Sequence, residues 1–159
     1  MKRGSTLVET ILYTFLLLSF LTLITQLIAT VLDVQKESSA ASLSSQDAMF
    51  IMQKMTNEIF QADQILSPPN PGDSQSQLQL DVNGQTRNFQ LSASDLIYDS
   101  GAASGKLNSY GTVLNSFTVK RIGNPGGKHA VSIEFELRSL IEESGGTRTG
   151  NYHFTAGLR

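Results

Sequence analysis

Along the chain the apolar positions fall into three successive patterns. From 10 to 32 they run almost without interruption, TILYTFLLLSFLTLITQLIATVL, and no charged residue occurs among them. As a helix these 23 residues rise about 35 Å, enough to cross a hydrocarbon core of about 30 Å. The threonines and Ser19 can return their hydroxyls to carbonyls one turn back, so they cost little in lipid. Gln26 is the one strongly polar side chain of the run; it either faces protein or lies near the outer headgroups. Further on, Ala48, Met52, Met55, Ile59, Ala62 and Leu66 recur at spacings of four and three, the stripe of an amphipathic helix. Asn57, Glu58, Gln61 and Asp63 are expected on its other faces. Residues 34–45, rich in Ser and Ala, contain neither Pro nor Gly, so nothing there forces the helix to stop; a hinge at 38–45 is the alternative. Pro68-Pro69-Asn70-Pro71-Gly72 ends it. One helix from near Ser5 to Leu66 is expected, about 90 Å long.

Beyond residue 67 the period becomes two. Leu78, Leu80 and Val82 alternate, Asn83-Gly84 is a hairpin signal, and Phe89 and Leu91 continue on the return strand. Leu96 to Tyr98 reads as a third strand, and DSGAASGKLNSYG at 99–111 reads as a mobile loop. Phe117 and Val119 lie on a strand running to Ile122, and Asn124-Pro125-Gly126-Gly127 turns it into Val131, Ile133, Phe135 and Leu137. A Gly/Ser/Thr turn at 142–150 leads to Tyr152, Phe154, Ala156 and Leu158 on a last strand. The expected class is α+β: a long N-terminal helix, transmembrane in its first half, packed against an antiparallel β-sheet head.

Composition narrows the chemistry. The 159 residues suffice for one anchor and one small head. A net charge of -2 supplies no broad basic field, which disfavours DNA as a direct ligand; the basic residues to weigh are Lys106, Lys120, Arg121 and Lys128. Without cysteine there are no disulfides and no thiolate metal sites. His129 and His153 fall on strands with no HExxH-like helix and read as strand surface residues. Gly123 to Lys128 lacks the spacing and following helix of a phosphate loop and reads as a hairpin turn. Asp95 and Asp99 are candidate calcium ligands, but two carboxylates without further oxygen ligands read as solvated loop charges. No enzyme activity, cofactor or metal is expected.

Lys2 and Arg3 precede the apolar run, whereas Asp33, Lys36 and Glu37 follow it with net negative charge. The positive-inside rule puts the amino end in the cytoplasm and the head outside the membrane, periplasmic or at the cell surface. Ala29-Thr30-Val31 fits a secretory cleavage site poorly, so the segment is expected to stay attached.

The stretch Arg3-Gly4-Ser5-Thr6-Leu7-Val8-Glu9 places a carboxylate at the mouth of the apolar run, where it is costly unless compensated. This stretch resembles the N-terminus of type IV prepilins and pseudopilins: a short basic leader ending in Gly, a cleavage point, and a hydrophobic helix with Glu as its fifth mature residue. The resemblance implies cleavage between Gly4 and Ser5 by a prepilin peptidase, N-methylation of Ser5, and Glu9 as the assembly salt-bridge residue. Ser5 stands where the family usually has Phe or Met, and no Pro occurs before Pro68; both departures favour a minor subunit. The segment Asn57-Glu58-Ile59-Phe60-Gln61-Ala62-Asp63-Gln64-Ile65 and the closing Leu158-Arg159 resemble J-type pseudopilins and minor pilins with a W-type head. The implied organisation is leader 1–4, assembly helix 5–32, amphipathic continuation 33–66 and β-rich head 67–159. The implied partners are the prepilin peptidase, other pilin or pseudopilin subunits, the inner-membrane assembly platform and, before assembly, membrane lipid. The expected function is that of a filament subunit at or near the tip of a pilus or of a secretion or competence pseudopilus. The alternative is a tip binding module for a surface, a secreted substrate or DNA, using the 99–111 loop.

Overall fold

The structure, a computed structural model, describes residues 3–123, 127–143 and 145–159, with side chains from Thr6 onward. A single helix, α1 (Arg3–Gln61), takes up the first part of the chain without a break, so the serines at 38–45 form no hinge. Its 59 residues span about 88 Å. It stops at Gln61, short of the expected Leu66. Residues Gln64–Ser67 instead form a strand, β1, which turns Ile65 into the core and leaves Leu66 outside. The cause is local: the Asp63 amide donates to the Asp81 carbonyl at 2.8 Å, and the Asp63 carboxylate accepts the Asn83 amide at 2.8 Å. Sheet pairing thus captures the chain before the prolines do.

Eight further strands follow among the described residues: β2 (Ser74–Gln75), β3 (Gln77–Val82), β4 (Gln85–Ser92), β5 (Asp95–Asp99), β6 (Ser104–Lys106), β7 (Thr112–Gly123), β8 (His129–Glu143) and β9 (Gly146–Gly157). They form two antiparallel sheets, ordered β1-β3-β4-β5-β6 and β2-β7-β8-β9. The β3–β4 hairpin turns at Asn83 and Gly84, both at positive φ (54° and 75°), the conformation that an Asn-Gly pair adopts at least cost. Residues 124–126 of the expected β7–β8 turn lie outside the described residues; pairing resumes on either side with Gly123 opposite His129. The expected turn at 142–150 is mostly strand, because pairing continues to Glu143 opposite Gly146.

The sheets and the upper part of α1 enclose one core. Ala48, Ile51, Met55 and Ile59 from the helix, and Ala62 just beyond its end, meet Leu78, Leu80, Phe89 and Leu96 of the first sheet and Leu114, Phe117, Val119, Val131, Ile133, Phe135 and Leu137 of the second. Each large aliphatic or aromatic side chain so buried contributes about 1.5–3 kcal/mol. The alternation read along β3, β7 and β8 is the one that is buried. On the last strand Ala156 is buried, while Tyr152 and Phe154 are only half-buried. Glu58, expected on an outer helix face, is buried: its carboxylate receives Lys54 Nζ at 2.5 Å and the Tyr98 hydroxyl at 2.9 Å.

Candidate functional site

The expected site begins at the N-terminus of α1. Met1 and Lys2 lie outside the described residues. Arg3, Gly4 and Ser5 are described only as helical backbone, so the Gly4–Ser5 bond lies within the first turns of α1. Glu9 is exposed and one turn before Tyr13, whose hydroxyl donates to Glu9 Oε1 at 3.3 Å. From Leu7 to Val34 every large apolar side chain is open, from 45% exposed at Ile24 to 72% at Phe15. No residue of its most apolar 18-residue window is buried by the head. Thr10, Thr14, Thr22, Thr25 and Thr30 each donate to the carbonyl four residues back at 2.7–2.9 Å, so their hydroxyls add no unmet donors to an apolar environment. The segment is one candidate membrane span, which fits a single-pass membrane protein.

At 3.6 residues per turn, Ser19, Thr22, Gln26, Thr30, Asp33 and Glu37 share one face of α1, and that face continues upward as Ala40, Ser44, Ala48, Ile51 and Met55, which the head buries. The polar residues of the span therefore line up beneath the head rather than scattering around the helix. On the opposite side of the upper helix Met49, Phe50 and Phe60 are more than half exposed. Neither stripe stands out from composition alone; projecting the whole of α1 as one helix would have revealed both.

The tip of the β8–β9 hairpin comes down onto this helix, where Glu143 and Gly145 line a hollow with Thr30, Asp33, Val34 and Glu37. The head therefore reaches the upper end of the span.

The 99–111 segment differs from the expected mobile loop. It contains β6, and Asn108, 4% exposed, fixes its end: the Asn108 Oδ1 accepts the Leu96 amide at 3.0 Å and Nδ2 donates to the Thr112 carbonyl at 2.7 Å. Asp47 of α1 accepts the Ser109 amide at 2.9 Å, the Ser109 hydroxyl at 2.7 Å, and the Thr112 hydroxyl. At Gly111 a Cβ would stand 2.3 Å from Leu43 Cδ2, so a larger residue here would require the Leu43 side chain to swing aside. On this clamped turn Tyr110 is 94% exposed. The segment sits against the upper half of α1, at Leu43 and Asp47.

The other sequence candidates separate. Asp95 is bonded to Lys106 Nζ at 2.7 Å and to Asn108, and the Lys106 ammonium holds its carboxyl below the usual range. Asp99 accepts the Gly101 amide at 2.8 Å. The two carboxylates thus serve turns of the fold, and among the described residues no group of three metal-ligating side chains forms. Two of the four basic residues are bound within the fold. Lys106 is engaged with Asp95, and the Arg121 guanidinium donates to the carbonyls of Ile65, Pro68 and Pro69 at 2.6–3.1 Å. His153 shares a 2.8 Å hydrogen bond with Ser132 on the outer face of the second sheet, and His129 is half-buried at the start of β8.

Against Tyr98 of β5 stands the Lys54–Glu58 ion pair, which lies within α1 itself. Burial, and then the bond to Glu58, pushes the Tyr98 phenol up. The Glu58 bond also raises Lys54, whose ammonium stands 4.5 Å from the Tyr98 ring centre. The resulting architecture, a long apolar N-terminal helix with an antiparallel head on its upper half, is compatible with a pilin-like fold. In comparison with known proteins the chain matches no family model, no curated protein and no solved structure.

Proposed function

We propose that this chain is a minor subunit of a type IV filament (a pilus, or a secretion or competence pseudopilus), held in the membrane by the lower half of α1 and assembled through it. The observation that carries this reading is the uncovered apolar half of α1, joined without a break to a packed head and opening on Glu9. A helix bare on all sides is soluble in lipid or among other such helices, and a subunit that moves from membrane to filament exchanges one for the other. The exposed Met49, Phe50 and Phe60 on the side of the upper helix away from the head extend the apolar surface offered to neighbouring subunits.

In this reading prepilin peptidase removes residues 1–4, and the new Ser5 amine lies one turn from Glu9 on the same helix face. Before assembly Tyr13 gives the Glu9 carboxylate a donor within its own helix. In the filament Glu9 meets the amine of a neighbour and sets the axial register. Breaking such a pair when buried costs about 3–5 kcal/mol. Its partners are then the peptidase, the other subunits, the inner-membrane assembly platform and, before assembly, lipid.

Intact mass of the membrane-bound chain is expected to correspond to a start at Ser5. Glu9→Leu is expected to be processed and retained in the membrane yet depleted from sheared filaments. Retention of Met1 in cells with an active peptidase, or Glu9→Leu in filaments at the parental ratio, contradicts the reading.

A further inference from the structure

The two sheets have four edges, and three are blunt. β1 has four residues and a register shift between Ile65 and Ser67, β2 has two residues, and β6 has three. The fourth edge, β9, has 12 residues, and its ladder with β8 is uninterrupted from Thr149 opposite Arg138 to Gly157 opposite Ala130. Short or bulged edges are the usual protection against strand addition, and β9 has neither over this length.

The direction of its free backbone groups follows from one bond. Leu158 donates its amide to the His129 carbonyl at 3.0 Å, so Leu158 faces β8. Because the amide and carbonyl of successive strand residues point to opposite sides, Ala156, Phe154, Tyr152 and Gly150 face β8 as well. Thr149, Asn151, His153, Thr155 and Gly157 turn theirs outward. Among the described residues no hydrogen bond reaches these outward groups. The core-facing side chains Tyr152 and Phe154 are half-buried at this same edge, so the apolar layer of the core extends to it and ends uncovered.

We infer that the β9 edge is an interaction surface that takes an extended segment of a different polypeptide chain as a fifth strand of the second sheet. The segment would carry apolar side chains at alternate positions to cover Tyr152 and Phe154, and polar ones beside Asn151, His153 and Thr155. The same β9 edge of a second copy does not fit. β9 rises from the span, since Gly145 lies by Asp33 and Glu37 while the Tyr152 hydroxyl lies 3.4 Å from the Ser44 hydroxyl, higher on α1. Antiparallel pairing of two copies would point their anchors in opposite directions, which one membrane forbids. In a symmetric parallel pair the outward groups of both copies stand at the same heights, whereas a parallel ladder sets each outward residue between two of its partner.

The chain has no cysteine, so single thiols can be placed at Thr149, Asn151, His153 or Thr155 of the full-length protein and carry a benzophenone cross-linker in membranes of the producing cell. The expected result is one partner segment whose cross-linked position moves by two residues for each step of two along β9. Asn151→Pro removes an outward amide without touching the β8 ladder. It is expected to leave the thermal midpoint of the head near the parental value while lowering cross-linking from Thr155 at least about tenfold. No adduct, an adduct to a second copy, adduct positions that do not advance with the reporter, or cross-linking unaffected by Asn151→Pro would overturn the inference. It rests on the filament reading only for where the partner resides. A chain correctly cut at Gly4–Ser5 that gives no advancing adduct refutes strand addition alone, and an uncut chain that gives one refutes the filament reading alone.

Discussion

The lower and upper halves of α1 are one element in two environments. Between Leu7 and Val34 the helix is apolar on nearly every side and none of its large apolar side chains is buried; between Ala40 and Ile59 one apolar face is sealed by the head, while Met49, Phe50 and Phe60 stay exposed on the other side. Helix geometry is the same in both. The difference lies in what the side chains can exchange for water: lipid or another helix below, a specific set of sheet residues above. Removing a methylene therefore has different consequences in the two halves, a packing defect above and only a change of apolar area below.

The largest expected effect tests this directly. Ile51→Ala, in the sealed half, should destabilise the head by about 2–5 kcal/mol, because Ile51 is wholly buried among both sheets. Leu17→Ala, in the bare half, should move head stability by no more than about 0.5 kcal/mol. Denaturant unfolding of the full-length chain in detergent micelles, followed by near-ultraviolet signals of the head tyrosines, measures both. Equal effects would mean that the two halves of α1 are not separate environments.

A smaller effect is expected where the helix holds the sheet by polar contacts. Asp47→Ala removes the acceptor of the Ser109 amide and of the Ser109 and Thr112 hydroxyls, and should cost about 1–3 kcal/mol. Hydrogen exchange should rise between 107 and 112 and stay unchanged in β7 beyond Phe117. Exchange spreading through the whole second sheet would show that Asp47 supports the core rather than the clamp.

The smallest effect is one of pH. Lys54 and Tyr98 both titrate above their ordinary values in the folded chain, so each adds stability that is complete below those values, about 10.4 and 10, and is lost as pH rises through the raised ones. The thermal midpoint of the head should be level from pH 7 to about 9 and fall above about 10. Tyr98→Phe should make the fall shallower. Asp95 acts in the opposite sense: its lowered value adds stability present above about pH 3.9 that is lost as pH falls through the folded value, and Asp95→Asn should remove that acid component.

Much of this organisation was legible along the chain. Continuous apolarity needs no partner to be recognised, which is why the bare apolar stretch and its back-bonded threonines were legible. The alternation in β3, β7 and β8, and the Asn-Gly turn, are properties of adjacent residues. The end of α1 was not legible in the same way: helix propensity and a stripe continue to Leu66, but the Asp63 contacts with Asp81 and Asn83, distant in sequence, decide the matter at Gln61.

By itself, then, the sequence determined the elements whose cause is local or one-dimensional: the long apolar stretch, the helix that no Pro or Gly interrupts after Gly4, the longer strands and the tight turn. Tertiary structure alone decided which polar residues go inside. Glu58 and Asp47 look like solvent-facing positions until Lys54 and Tyr98, and Ser109 and Thr112, stand opposite them. It likewise decided that a Gly- and Ser-rich stretch is clamped, because Asn108 and Gly111 meet partners on other elements. The division into two sheets with one long open edge is also a property of the assembled fold. Strand order depends on which surfaces meet, and a strand's own pattern is the same at an edge as in the middle.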